Sequence, residues 1–105
     1  MSEEDAVCPH FQRAAELVGK RWIPQVVRAL QSRVTRFSDI RDAVPGVSDH
    51  VLSQRLKELE AAGILERRVT PSTPVGISYR LTERGEGLAK VIAELAAWAE
   101  QATTA

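Results

Sequence analysis

The sequence predicts a mainly α fold with a small two-stranded β-wing, in which a second copy docks through the terminal helices. Three observations lead there. Apolar residues recur at helical spacing through most of the chain. The stretch from Ile64 to Leu81 changes to strand character around a loop rich in proline, serine and threonine. The last helix carries a broader apolar band than a chain of 105 residues needs to close one modest core.

Residues 1–7 read as a flexible acidic tail and residues 8–105 as a single domain. Cys8-Pro9 opens the first helix, because the N–H that proline lacks would have had no acceptor in a first turn. Its apolar positions are Phe11, Ala14, Ala15, Leu17 and Val18, and Gly19 ends it. The second helix covers Trp22 to Gln31, with Pro24 tolerated in its first turn and Ile23, Val26, Val27 and Leu30 facing inward. Thr35 is the expected cap of a third helix whose inward residues are Phe37, Ile40 and Val44, and Pro45-Gly46 turns the chain.

Ser48 caps the fourth helix and Ala62-Gly63 closes it. Leu52, Leu56 and Leu59 share one stripe, which leaves His50, Ser53, Gln54 and Lys57 on the other side. Helix, turn and helix in this order make a helix-turn-helix, with a turn slightly long in the manner of winged variants. The wing follows as strands Ile64–Val69 and Ile77–Leu81, joined by a loop from Pro71 to Gly76. Thr82 caps the final helix, whose band comprises Leu88, Val91, Ile92, Leu95, Trp98, Ala99 and Ala102; Gly85 and Gly87 weaken its first turn.

Composition narrows the function. With 14 basic and 14 acidic residues the formal net charge is zero, so nucleic acid is not gripped by overall basicity. The distribution is uneven, however: Lys20, Arg21, Arg28, Arg33 and Arg36 lie between Leu17 and Ser38 with no acid among them. One cysteine excludes an intrachain disulfide and a thiolate zinc cage, and the two histidines lie far apart in sequence, so no metal and no cofactor is expected. No apolar run reaches the roughly 20 residues that span a bilayer, and the acidic start lacks the features of a signal peptide, so a cytoplasmic location away from membranes is expected. No nucleophile-base-acid set, glycine-rich phosphate loop or carboxylate pair suggests an enzyme.

A leucine-backed helix with a front of hydrogen-bonding side chains suits the major groove of double-stranded DNA, although a merely solvated face has the same pattern. Gln54 is the best base reader, because its amide donates and accepts in one plane. Arg55 lies toward the core edge, where an ion pair with Glu58 or Asp39 is expected in place of a DNA contact. In the wing, Arg67, Arg68 and Arg80 are candidate phosphate partners.

The segments CPHFQRAAELVGKRW, RFSDIRDAVPGVSDHVLSQRLKELEAAGILERR and SYRLTERG, with Trp98 in a closing helix, resemble the HxlR-type winged helix-turn-helix transcription regulators from about Cys8 to Ala99. The resemblance implies a homodimeric regulator, expected to repress, that binds a pseudo-palindromic operator. It places Ser48, His50, Ser53, Gln54 and Lys57 at base-reading positions and Lys20, Arg36, Ser38 and the wing arginines at backbone positions. Asp49 departs from the polar or basic residue usual there. In several relatives a cysteine just before the first-helix proline senses oxidants or electrophiles, which makes Cys8 a redox candidate, also as the residue at a helix N-terminus that favours thiolate.

Three other readings stand beside DNA regulation through the dimer alone. Cys8 is either a sensor or a small residue with no signal. Phe11, Trp22, Leu88, Val91, Ile92, Leu95 and Trp98 form a dimer surface or a pocket for a small aromatic or electrophilic effector, the aromatic part lying between the first two helices and the last. A winged helix used only for protein contact is the remaining alternative.

Overall fold

Proline begins two of the helices, as its missing N–H allows. In the computed structural model, which describes residues 7–71 and 76–103, Pro9 and Pro24 both lie in first turns. The elements are α1 (Pro9–Val18), α2 (Ile23–Gln31), α3 (Phe37–Ala43), α4 (Asp49–Ala61), β1 (Leu65–Thr70), β2 (Gly76–Leu81) and α5 (Glu83–Thr103). The start of the expected acidic tail, the tip of the hairpin loop (72–75) and the side chain of Ala102 lie outside the described residues.

The core is built around α2, which buries Ile23, Val26, Val27, Ala29 and Leu30 and packs against α1, α3, β2 and α5. Ile40 from α3, Leu52, Leu56 and Leu59 from α4, Leu65 and Leu81 from the wing, and Ala89 and Ile92 from α5 complete it. Val44 and Val47 of the turn between α3 and α4 are buried too, so that turn is held by apolar contacts as well as by Gly46, whose φ is 95°. β1 and β2 pair antiparallel, with Leu65 opposite Leu81, Glu66 opposite Arg80, Arg67 opposite Tyr79 and Arg68 opposite Ser78.

Two expected helix starts differ. Trp22 is the N-cap of α2, not its first residue, and has a left-handed backbone with φ of 77°. Thr35 does not cap α3; Arg36 takes that position with an extended backbone and no side-chain cap bond. The cause is the wing: the Tyr79 N–H donates to the Thr35 carbonyl at 2.8 Å, which draws residue 35 alongside β2. Both glycines near the start of α5 were expected to weaken it, but Gly85 has a packing role. A Cβ there would overlap the Ile64 carbonyl oxygen, whereas Gly87 has nothing nearby. Thr82 caps α5 by accepting from the Gly85 N–H at 3.1 Å, and its own hydroxyl donates to the Gly63 carbonyl.

After Ile92, no described residue of α5 is buried. Val91, Leu95 and Trp98 are 60%, 47% and 66% exposed, and α1 buries no residue at all, leaving Phe11 65% exposed. These two helices therefore present an apolar surface that no described residue covers. Among the described residues no helix is long and apolar enough to cross a membrane, and no group of side chains is arranged to hold a metal ion.

Candidate nucleic-acid interface

The orientation of α4 follows from its leucines. Leu52, Leu56 and Leu59 are buried, so the helix turns His50, Gln54 and Lys57 outward into solvent, with Ser53 half-buried beside them. Ser48 fixes the start of the helix, its hydroxyl accepting from the Val51 N–H at 3.1 Å. Among the described residues none of His50, Ser53, Gln54 or Lys57 has a hydrogen-bond or ion-pair partner, so their polar groups remain free for an external ligand. Asp49 has a different task. Arg41, near the end of α3, places its guanidinium 3.2 Å from the Asp49 carboxylate and 3.6 Å from Asp42, and Asp49 pushes the arginine pKa up through hydrogen bonding and charge. This pair sets the two helices of the helix-turn-helix against each other. Sequence reasoning left Asp49 without a role; its only signal was a basic residue facing an acid across the Pro45-Gly46 turn.

On the other flank of α4, Arg55 donates from Nε to the Arg21 carbonyl at 2.8 Å and from Nη1 to Glu58 at 3.0 Å. The expected ion pair of Arg55 thus forms with Glu58. Lys20 reaches the same Glu58 oxygen at 3.0 Å, so its ammonium, expected on the DNA backbone, is already engaged. Trp22 lies next to them with the Arg21 guanidinium 4.7 Å from its ring centroid. Its ring edge points at Gly46, where a Cβ would stand 3.3 Å away. Trp22 therefore wedges the helix-turn-helix turn, while Phe11 and Trp98 are both largely exposed. The left-handed backbone at Trp22 is what turns the ring that way, a feature no periodicity reveals. Of the remaining residues expected in that set, Ile92 is core and Leu88 is half-buried against it.

The wing arginines divide between the two faces of the hairpin, as alternation along a strand requires. Arg67 and Tyr79 face α4 and, with Ser53, Leu56, Lys57 and Glu60, line a groove of about 330 Å³ between α4 and the wing. Arg68 and Arg80 lie on the other face, where both contact Glu66, Arg68 at 3.0 Å. Arg80 first and Arg68 second hold the Glu66 carboxyl below its usual range. Arg36 lines a second groove of about 220 Å³ with Thr35, Thr70, Gly76, Ile77 and Ser78, at the base of the wing, and Ser38 is exposed in the first turn of α3. Arg36, Lys57 and Arg67 are thus cations without a partner among the described residues, whereas Lys20, Arg68 and Arg80 each hold a carboxylate. Tyr79 escaped the sequence reading, since only the strand register places its side chain beside Arg67.

Cys8 occupies the N-cap of α1 and is exposed. The backbone N–H groups of Phe11 and His10, turned toward the sulfur at the start of the helix, pull its thiol pKa below the ordinary value.

This arrangement of helices and wing is similar to that of known transcription regulators. The Bacillus subtilis helix-turn-helix transcriptional regulator YvaP is 43% identical over 98 residues, covering 93% of this chain and 91% of YvaP. YodB, a transcriptional regulator of the same organism, is 42% identical over 97 residues, covering 92% of this chain and 87% of YodB. The reduced form of YodB superposes with a TM-score of 0.80, covering 91% of this chain and 94% of that one. Its diamide-treated and quinone-bound forms give 0.77 and 0.75. The profile of the HxlR-like helix-turn-helix family matches residues 17–105, and the chain belongs to that family of transcription regulators.

Proposed function

We propose that this transcription regulator works as a homodimer that reads a pseudo-palindromic operator, each copy laying the outer face of α4 in the major groove and its wing along the adjacent backbone. The observation that carries the reading is the set of side chains His50, Ser53, Gln54 and Lys57 on the outer face of α4, unpartnered among the described residues and bracketed by the free cations Arg36 and Arg67. Gln54, and beside it Ser48, His50 and Ser53, meet base edges. Arg36, Arg67 and Ser38 meet phosphates, and Lys57, expected at a base-reading position, is set against the phosphates here because its ammonium is a point charge on a flexible stem. Lys20, Arg68 and Arg80 contribute less, because each must first give up a carboxylate. The second copy covers Val91, Leu95 and Trp98 of α5 and Phe11 of α1, and two-fold symmetry then sets the two reading helices about 34 Å apart.

The test is a salt titration of binding to DNA from upstream of the regulator's own and neighbouring genes. Three free cations on each copy of a dimer release about six counterions, so the logarithm of affinity should fall with the logarithm of salt at a slope of about −5. A slope near zero would favour a winged helix that only meets protein.

A second reading concerns the signal. Cys8 is exposed and its thiolate is favoured, and the relative YodB has been crystallised after diamide treatment and with a quinone. In this reading Cys8 senses oxidants or electrophiles. With diamide, two Cys8 thiols from two copies give up two electrons and two protons, joining as an intersubunit disulfide while the diazene is reduced to the hydrazine. Operator binding by wild type and Cys8→Ser, each with and without diamide, decides it: equal responses remove Cys8 as the sensor.

A further inference from the structure

None of the residues assigned to DNA lines the groove that α1 forms with the end of α4 and the start of α5. That groove has a volume of about 530 Å³ and is lined by His10, Arg13, Ala14, Leu17, Ala62 and Arg84. A smaller depression of about 170 Å³ continues it beneath Arg84 over Val18, Ile64 and Leu88. The spacing of His10, Arg13, Ala14 and Leu17 puts them on one face of α1, separate from the exposed Phe11.

The chemistry of this lining is one-sided. Its polar side chains are two guanidiniums and an imidazole, with no carboxylate among them. Among the described residues Arg13 reaches only His10, its Nη2 lying 3.0 Å from Nδ1 of the ring. Arg84 has no hydrogen-bond or ion-pair partner among the described residues. It is also the second residue of α5, where the helix dipole is positive and a cation works against the helix. An unpaired guanidinium at an unfavourable place, aimed into a concave and otherwise positive lining, is a charge that lacks its counter-ion. Beneath it the floor is apolar: Ala14, Leu17 and Ala62 in the groove, Ile64 and Leu88 in its extension.

We infer that this groove binds a small organic monocarboxylate with an apolar body. The carboxylate lies between Arg84 and the Arg13–His10 pair, where a guanidinium offers two parallel N–H donors. The body of the acid rests on Leu17 and Leu88. The volume falls within the range of small-ligand sites. Such a ligand would connect α1, which buries none of its own residues, to the junction of α4, β1 and α5. The inference concerns a site away from the reading face and holds or fails independently of how the chain meets DNA.

Calorimetric titration of the full chain with benzoate, cyclohexanecarboxylate and 4-methylpentanoate, and with benzamide as neutral control, tests it. At least one acid should bind, with benzamide about tenfold weaker or more than benzoate if benzoate is the ligand that binds. Arg84→Gln should weaken the acid about tenfold, and Arg84→Lys less, while the ligand-free Arg84→Gln protein melts at the same temperature as wild type or higher. Failure of all three acids, benzamide binding as tightly as benzoate, or Arg84→Gln binding with unchanged affinity would each overturn the assignment.

Discussion

Replacing Trp98 by alanine should separate the two copies without unfolding either. The indole is 66% exposed on α5, six residues beyond the last buried position, Ile92. A tryptophan side chain carries about 250 Å², so about 165 Å² is open to water. At roughly 25 cal/mol per Å², covering all of it contributes about 4 kcal/mol per copy. If the partner covers half, the loss is about 2 kcal/mol per copy, hence about 4 per dimer, which raises the dissociation constant about 10³-fold. Sedimentation equilibrium over a concentration series measures that constant, and circular dichroism under the same conditions reports whether helix content is kept. The reasoning fails if Trp98→Ala dimerises like wild type, or if wild type is monomeric at working concentration. It also fails if the variant loses its helices, since the indole would then belong to the core.

The remaining expectations concern reading, reactivity and packing. Gln54→Ala should cost roughly 1–3 kcal/mol on the operator and narrow the gap to random DNA, whereas Arg36→Ala should weaken both about equally; competitive binding assays with the two DNAs separate these outcomes. Because the Phe11 and His10 N–H groups favour the charged sulfur, the rate of iodoacetamide labelling of Cys8 should rise at a pH below that of a free cysteine. An inflection at or above the ordinary thiol value would contradict the geometry at the start of α1. Gly85→Ala, which forces a Cβ onto the Ile64 carbonyl, should destabilise by about 2–3 kcal/mol. Gly87→Ala, in open space on the same helix, should stabilise by about 0.5–1 kcal/mol, and thermal melts of the two variants should therefore move in opposite directions.

Much of the fold was legible because its signals are local and periodic. The leucines of α4, the cap at Ser48, the Pro45-Gly46 turn and the cap at Thr82 act within a few residues of themselves, so sequence spacing states them directly. The features that were not legible depend on segments far apart in the chain. Thr35 loses its capping role because β2 draws its carbonyl aside. Gly85 is glycine because a strand entrance passes close by, and Trp22 turns toward Gly46 through an uncommon backbone angle. The same distinction runs through the candidate site. The outward face of α4 followed from its leucine stripe, but which cations are free did not. Glu58 engages Lys20 from thirty-eight positions away in sequence and Glu66 engages Arg80 from fourteen, and neither distance is a helical or strand period.

Those long-range contacts also supply a connection between the two ends of the proposed mechanism. Three consecutive residues that follow α1 join it to α4 and the turn before it: Lys20 bonds Glu58, the Arg21 carbonyl accepts from Arg55, and Trp22 fills the space at Gly46. Arg55 and Glu58 are on α4 itself, one and four residues after Gln54, and Gly46 lies in the turn that leads into it. In the proposed mechanism a shift of α1 that pulls on this segment would act on α4 directly, without passing through the wing. Exposed ion pairs such as Lys20 with Glu58 contribute about 0–1 kcal/mol each, so the links are weak enough to rearrange reversibly. The less exposed Arg55, whose side chain is 16% accessible, is the firmest of them. In the proposed mechanism, an α1 that buries none of its own residues, joined to α4 through a following segment with contacts of this strength, would answer its own chemistry and still be felt at the DNA.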